Sequence, residues 1–194
     1  MKKRKVSDEE KMFEAWAIEA TEAGLINGLQ KQPRKFELIE KKLVVVEKKL
    51  KTKTKLASRH VCAAHTYTPD FLITLTVTGR ALLLPLLEKN YLISQSKRTG
   101  QLAEHNTVYI DTKGSYTVQS GQKQMFSCNQ KLVYAQTGIW VEKVVPWNAK
   151  GKCLFKSTWV PECLRWKKNR KVAELTTKGE ACGTIAEFMK ENAK

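Results

Sequence analysis

The sequence of 194 residues lacks long apolar runs. No stretch approaches the roughly 18 consecutive apolar residues of a membrane-spanning helix. The first ten residues, MKKRKVSDEE, also lack the apolar segment of a secretory signal. We therefore expect no membrane partner and a cytoplasmic location. The KKRK run could serve as a nuclear address, but a basic arm that binds nucleic acid has the same composition.

Cysteines are few and odd in number, which does not suit a disulfide framework. The five cysteines fit a reducing compartment, with free thiols as the default. His60, Cys62 and His65 have the residue types of a metal site, but on a strand only His60 and Cys62 would share a face. We therefore interpret these three as ordinary strand residues, with a zinc site as the alternative.

Acidic residues are scarce, since 19 Asp and Glu stand against 35 Lys and Arg, for a net charge of +16. The excess is concentrated in two stretches. Lys41 to Arg59 holds eight Lys or Arg against Glu47 alone, and Lys150 to Lys171 holds eight against Glu162 alone. Such patches suit a polyanion. Nucleic acid is the first candidate partner, and an anionic membrane surface is the weaker one.

The N-terminal half reads as a helix followed by strands. Ser7 and Glu10 form a capping-box pattern ahead of apolar residues at helical spacing, which predicts a helix over 8–23 ended by Gly24. The segment FELIEKKLVVVEKKLKTKTK predicts a strand or hairpin with lysines on its wet face, and TPDFLITLTV predicts a further strand. The chain length is consistent with one domain.

The second half predicts a crossover unit. TVYIDTKGSYTV indicates a strand that breaks at Gly114, FSCNQKLVYAQTGI a helix, and WVEKVVP a strand closed by Pro146. The fold class is therefore mixed α/β (α+β). We assign a core to residues 1–146 and a basic C-terminal extension with a terminal helix to 147–194. Because Pro85 argues against a central strand or a long helix, residues 79–106 are interpreted as an insertion.

Two carboxylates and a lysine are placed for phosphate chemistry. Asp111 and Lys113, at positions i and i+2 of a strand, point to the same face. Asp70, behind Pro69 at the head of another strand, can supply a second carboxylate. Phosphodiester hydrolysis needs carboxylates that hold Mg²⁺ and a nearby cation. An ordinary cross-strand ion pair is the structural alternative for Asp111 and Lys113.

Pro69-Asp70 followed by Asp111-Thr112-Lys113 resembles the PD-(D/E)XK nuclease superfamily. The stretches EAGLINGLQKQPRKFEL, YTPDF and KLVYAQTGIWVEKVVP are similar to small phage-encoded endonucleases of this superfamily, including those like Holliday-junction resolvases. The resemblance covers residues 7–146. It implies a restriction-endonuclease-like core with an N-terminal helix, a central mixed sheet and a crossover helix.

The resemblance also implies a set of site residues. Asp70 and Asp111 would bind Mg²⁺, with Mn²⁺ as a substitute, and Lys113 would orient water or stabilise charge. A glutamate of the first helix, Glu9 or Glu10, would complete the metal site, with Glu9 favoured. Gln130, in a Gln-x-x-x-Tyr pattern like that of RecB-like nucleases, would help to hold the site. The sequence departs from the family in beginning the triplet with Asp, and in the 41 residues that separate the two aspartates.

We therefore expect a magnesium-dependent DNA endonuclease, with a branched junction or a flap among the candidate substrates. Paired cuts at a junction would favour a homodimer. The alternative is a non-catalytic nucleic-acid-binding protein with the same fold. Trp159 and Trp166, which lie among basic residues, could stack on bases, although packing in a core is the commoner role for tryptophan.

Overall fold

The computed structural model describes residues 6–90, 106–114, 122–148, 153–165 and 183–192. The helices in these ranges are α1 (Asp8–Glu22), α2 (Val77–Asn90), α3 (Gln122–Thr137), α4 (Leu154–Ser157), α5 (Glu162–Arg165) and α6 (Ile185–Asn192). The strands are β1 (Ile26–Lys31), β2 (Phe36–Ile39), β3 (Lys42–Lys49), β4 (Thr54–Cys62), β5 (His65–Tyr67), β6 (Phe71–Leu75), β7 (Thr107–Thr112) and β8 (Val141–Val144). None of these helices has the length and apolar character needed to cross a membrane.

Helix α1 begins and ends where its sequence predicts. The Ser7 hydroxyl accepts a hydrogen bond from the Glu10 N–H at 3.1 Å, and the Ser7 N–H donates to the Glu10 carboxylate at 3.4 Å. This reciprocal pair satisfies two amides that the first turn would otherwise leave without partners. At the other end Gly24 has φ +72°, a conformation that glycine adopts without strain. The predicted capping box and helix stop are both confirmed.

A four-stranded mixed sheet forms the centre, in the order β1-β6-β7-β8. β6 pairs antiparallel with both β1 and β7, whereas β7 and β8 are parallel. Parallel neighbours need a crossover connection, and α3 lies between β7 and β8 in the chain. The predicted mixed α/β fold and the crossover are therefore confirmed.

Helix α1 covers one face of this sheet. The Phe13 ring lies 4.9 Å from that of Phe71 on β6. Because only Ala23 to Leu25 connect α1 to β1, the helix runs back along that strand, and its N-terminal half returns to the end of the sheet where β1 finishes and β6 begins. An ion pair of 2.5 Å between Glu14 on α1 and Lys31 at the end of β1 joins the two elements at that end.

The segment after residue 146 contributes to the same core. The Trp159 ring stacks on Trp16 of α1 at 5.0 Å, and its indole N–H donates to the Glu19 carboxylate at 3.0 Å. Trp159 is fully buried, so it is not available to stack on bases. Trp166 lies outside the described residues. The predicted C-terminal helix is present as α6, although residues 176–182 of that prediction also lie outside the described ranges.

The segment predicted as an insertion begins with a helix of 14 residues that contains Pro85, whereas Pro85 was expected to disfavour a long helix here. The Thr76 hydroxyl accepts a hydrogen bond from the Gly79 N–H at 2.9 Å, so the chain turns into α2 and the predicted strand stops at Leu75. Leu83 is fully buried in the main core. Pro85 lies inside α2, so the helix continues through a residue that is unfavourable in a helix interior.

The predicted hairpin is present as two consecutive pieces of antiparallel ribbon. β2 pairs with β5, and the chain between them forms the β3–β4 pair. Phe36 and Leu38 of β2 pack with Phe126 and Val133 of α3 in a second, smaller core. This packing fixes β5, and with it Tyr67, above the crossover side of the sheet.

Candidate active site

Asp70 and Asp111 come together at one end of the central sheet. Asp70 immediately precedes β6, and Asp111 is the penultimate residue of β7. The two strands are antiparallel and pair Phe71 with Ile110, so the head of one strand meets the tail of the other. Each aspartate is only 4% exposed. The predicted convergence of the two carboxylates is therefore observed across 41 residues of sequence.

Thr112 anchors the Asp70 carboxylate. Its backbone N–H and its hydroxyl both donate to Oδ2 of Asp70, each at 2.9 Å. Two donors from one residue fix the Asp70 carboxylate against β7. The residue between the predicted acid and lysine of the triplet thus orients the other acid.

Asp111 is held by two donors of different character. The Tyr67 hydroxyl donates to Oδ2 of Asp111 at 2.6 Å. The Lys113 ammonium bonds to Oδ1, so the two side chains lie on the same side as expected, although β7 ends at Thr112. Lys113 also lies over the Phe126 ring, with Nζ 5.6 Å from the ring centroid. Each oxygen of the Asp111 carboxylate therefore has a donor.

The pKa of Asp111 is raised to about 6. Burial is the main cause, because a carboxylate away from water is costly to ionise. Lys113 opposes this effect, while the charge of Asp70 adds to it. Burial, followed by the charge of Asp111, also raises the pKa of Tyr67 far above its ordinary value. Tyr67 is therefore a neutral phenol whose hydroxyl donates a hydrogen bond to Asp111.

The donor set fits a hard divalent cation. Carboxylate oxygens are the ligands that Mg²⁺ prefers. The charge of Asp70 helps to raise the pKa of Asp111, and a cation between the two carboxylates would relieve the repulsion between them. In the described ranges, no three His, Cys, Asp or Glu side chains form a group that could hold a metal ion. Asp70 and Asp111 are thus the two candidate ligands that the structure brings together.

The glutamates of α1 do not join that pair in this arrangement. Glu9 is half-buried in the first turn, and Glu10 is the carboxylate of the capping box. Both lie on the half of α1 that returns to the Asp70 end of the sheet. A metal-binding role for Glu9 or Glu10 stays a prediction.

Gln130 ties the crossover helix to the sheet. Its side-chain amide donates to the Val141 carbonyl at 2.6 Å, at the start of β8. The tyrosine of the same sequence pattern, Tyr134, is 41% exposed and meets Trp140 edge-on at 5.7 Å. Gln130 thus positions β8 beside the strand that carries Asp111, while any direct catalytic role for it stays a prediction.

Two of the three residues considered for zinc, Cys62 and His65, have other partners. The His65 ring bonds through Nε2 to the Asn129 amide at 2.8 Å, which fixes β5 on α3. The Cys62 thiol lies 3.7 Å from the Glu40 carbonyl. No metal-binding group that includes these residues is found in the part of the chain that the structure describes.

Sequence reasoning missed four residues at this end of the sheet. Tyr67 and Thr112 bond to the two aspartates, Glu14 pairs with Lys31, and Lys143 on β8 is in register with Asp111. Tyr67 is part of the YTPDF stretch, and Glu14 is spaced one helical turn from Glu10, so signals for both were present. Lys143 could be found only from the pairing of β7 and β8.

Comparisons with protein families, with curated proteins and with solved structures find no match for this chain. The roles of the residues therefore rest on the geometry and chemistry of the site itself.

Proposed function

We propose that the protein is a magnesium-dependent DNA endonuclease with its active site at Asp70, Asp111 and Lys113. One observation carries the proposal: two buried carboxylates at the adjoining ends of β6 and β7 converge at the end of the sheet, and a lysine one residue past the end of β7 bonds to one of them. This is a donor set for a hard cation beside a positive charge, which phosphodiester hydrolysis requires.

The energetics of the site favour this proposal over a structural ion pair. A structural ion pair of Asp111 and Lys113 would not be stabilised by a second carboxylate. The charge of Asp70 instead adds to the rise in the pKa of Asp111. Buried acids that oppose each other cost stability and are typical of functional sites. Thr112 holds the Asp70 carboxylate in place, so the repulsion between Asp70 and Asp111 is fixed by the fold.

The topology also supports a nuclease of the PD-(D/E)XK type. Helix α1 precedes the three antiparallel strands β1, β6 and β7, and α3 then crosses over to the parallel strand β8. This order is the one implied by the resemblance of the two aspartates and the lysine to that superfamily. The acids lie at the sheet end to which the start of α1 returns, where a helix glutamate could approach.

Each side chain then has a distinct part in the proposed reaction. Bound Mg²⁺ would supply Lewis-acid stabilisation of the phosphate. Asp70, oriented by Thr112, and Asp111, oriented by Tyr67, would hold that ion. Lys113, already anchored on Asp111, would orient the attacking water or stabilise charge on the phosphate.

The decisive experiment is cleavage of labelled linear, flapped and four-way DNAs by the purified protein with and without Mg²⁺. Asp70→Asn and Asp111→Asn should abolish cleavage and retain DNA binding. The sequence contains one other aspartate, Asp8, which is exposed at the start of α1, so Asp8→Asn is the matched control. Full activity of either site variant would overturn the assignment. Sedimentation with and without a four-way junction would test the homodimer that paired cuts require.

A non-catalytic DNA-binding protein is the second candidate. The observation that favours it is the exposed, lysine-rich β3–β4 ribbon, which could bind phosphates without any chemistry at the carboxylates. The same experiment separates the two functions. Salt-dependent binding of every DNA, without cleavage in Mg²⁺ or Mn²⁺, would establish the second candidate and exclude the first.

A further inference from the structure

The β3–β4 ribbon stands apart from the rest of the protein. It consists of Lys42–Cys62, with β3 and β4 paired along their whole length. Neither core cluster contains a residue of this ribbon. Most of its side chains are exposed on both faces, whereas an isolated two-stranded ribbon is marginally stable in water. A surface of this kind is suited to bind a partner.

Positive charge is concentrated at the end of the ribbon. The ribbon tip, Lys48–Lys55, contains five lysines and no acid: Lys48, Lys49, Lys51, Lys53 and Lys55. A turn with the Leu50 N–H bonded to the Lys53 carbonyl at 2.8 Å closes the tip. The density of lysine indicates an anionic partner.

The two faces of the ribbon differ. One face carries Val44, Val46 and Lys48, which pair with Arg59, Ala57 and Lys55, so it holds three cations and no carboxylate. The other face carries Glu47, Lys49 and three apolar side chains that are more exposed than Val44, those of Leu43 (54% exposed), Val45 (67%) and Leu56 (65%). The partner must therefore offer phosphates at the tip and apolar surface further back.

The ribbon leads directly to the candidate active site. β3 follows β2 and β4 precedes β5, so the ribbon continues the β2–β5 pair. Tyr67, in β5, donates its hydrogen bond to Asp111. A linear polymer bound along the ribbon would thus have one end of its binding site beside the carboxylates.

We propose that the β3–β4 ribbon lies in the major groove of B-form DNA beside the phosphate to be cut, with the tip lysines on the backbone. This inference rests on the proposed action on DNA. The major groove, about 12 Å wide, admits a two-stranded ribbon. The eight residues of β3 span about 26 Å at roughly 3.3 Å per residue, the length of about seven or eight base pairs. Leu43, Val45 and Leu56 would then face base edges and thymine methyl groups.

A second copy of the chain is the competing occupant of the apolar face. Two paired ribbons would cover their apolar faces but would leave the five lysines of each tip without an anionic partner. DNA satisfies both the cationic tip and the apolar face, whereas a second copy satisfies only the apolar face. Charge complementarity therefore selects DNA.

The first test replaces all five tip lysines with glutamine and measures duplex DNA binding in Ca²⁺ over a range of salt concentrations. A matched variant replaces the same five lysines with arginine, which keeps the charge. The glutamine variant should lose at least about 2 units from the slope of log affinity against log salt, since each phosphate contact contributes about 0.9. The arginine variant should keep the slope. Equal slopes for the glutamine variant and the unmodified protein would overturn the proposal.

The second test identifies the groove. Distamycin, which fills the minor groove, should not displace the protein from duplex DNA. Double-stranded RNA of the same sequence should compete poorly, because the major groove of the A-form helix is too narrow to admit the ribbon. Displacement by distamycin, or equal competition by the RNA, would overturn the groove assignment.

The third test addresses the second copy. Leu56→Asp places a charge on the exposed apolar face. If the unmodified protein sediments as a dimer without DNA and this variant as a monomer, the ribbon is a subunit interface and the proposal is wrong. If Leu56→Asp weakens DNA binding and leaves the sedimentation coefficient of the free protein unchanged, the proposal is supported.

These measurements test the role of the ribbon in DNA binding independently of DNA cleavage. Binding in Ca²⁺ requires no cleavage, so the ribbon result stands even if no cleavage is found with Mg²⁺. Conversely, if the protein cleaves DNA and the glutamine variant binds and cleaves like the unmodified protein, the nuclease is established and the role of the ribbon is refuted.

Discussion

The Tyr67 hydroxyl lies 2.6 Å from Oδ2 of Asp111 and joins the β2–β5 ribbon to the end of β7. The contact spans 44 residues of sequence and connects the small core above α3 with the central sheet. Because the phenol remains protonated, it orients Asp111 as a donor and adds no charge. Tyr67 is thus a positioning residue of the proposed active site.

Tyr67→Phe should lower Mg²⁺ affinity or cleavage rate by roughly 10- to 100-fold, the usual cost of losing a group that orients a metal ligand. Cleavage rate measured against Mg²⁺ concentration separates the two effects. Tyr134→Phe is the control, since that tyrosine is partly exposed on Trp140, away from the carboxylates. Equal losses in both variants would show that Tyr67 has no particular role.

The metal-free protein should lose stability as pH rises from about 4 to about 6. Asp111 has its pKa raised from 3.8 to about 6, so in this window the folded state keeps a proton that the unfolded state releases. Asp111→Asn should therefore raise the Tm at pH 7 and have little effect at pH 4. Thermal unfolding in EDTA at both pH values checks this, and a lower Tm for the variant at pH 7 would contradict it.

Added Mg²⁺ should raise the Tm of the unmodified protein more at pH 7 than at pH 5, because protons compete with the cation for Asp111. The same titration on Asp111→Asn should show a much smaller shift at both pH values. A Tm shift that is equal in the two proteins would place the ion elsewhere.

Lys113→Ala should reduce the cleavage rate by about 100-fold or more and weaken DNA binding only modestly. Lys113 is bonded to Asp111, and in the proposed reaction it would lie beside the phosphate, where charge stabilisation is worth more than at an exposed site. Lys131→Ala, at an exposed position on α3, provides the control for the loss of one charge. Single-turnover rates and anisotropy in Ca²⁺ measure the two effects separately. If Lys131→Ala lost as much rate as Lys113→Ala, the assignment would be wrong.

The metal preference should follow the carboxylate ligands. Mg²⁺ and Mn²⁺ should support cleavage, whereas Ca²⁺ should support binding alone, because it is larger and activates water poorly. Stoichiometric zinc in the purified protein, with activity lost in Cys62→Ser and in His65→Ala, would contradict the assignment of Asp70 as a ligand of Mg²⁺. Metal analysis of the purified protein and activity of these two variants are the measurements.

The sequence by itself determined the elements whose signals are local. The capping box of Ser7 and Glu10, the stop at Gly24 and the period-two placement of Asp111 and Lys113 depend on neighbours within a few residues. The helix and strand after residue 122 carry similar periodic signals, and their order required the crossover. Propensity and periodicity are properties of a short segment, so a reader of the sequence can evaluate them directly.

Only the tertiary structure decided how distant segments meet. It brought Thr112 to Asp70 and Tyr67 to Asp111, packed Trp159 on Trp16, and carried α2 through Pro85. Each result depends on strand register or on burial against another element, which composition and spacing do not encode. A proline is unfavourable in a helix taken alone, yet α2 contains Pro85 and has Leu83 buried in the main core.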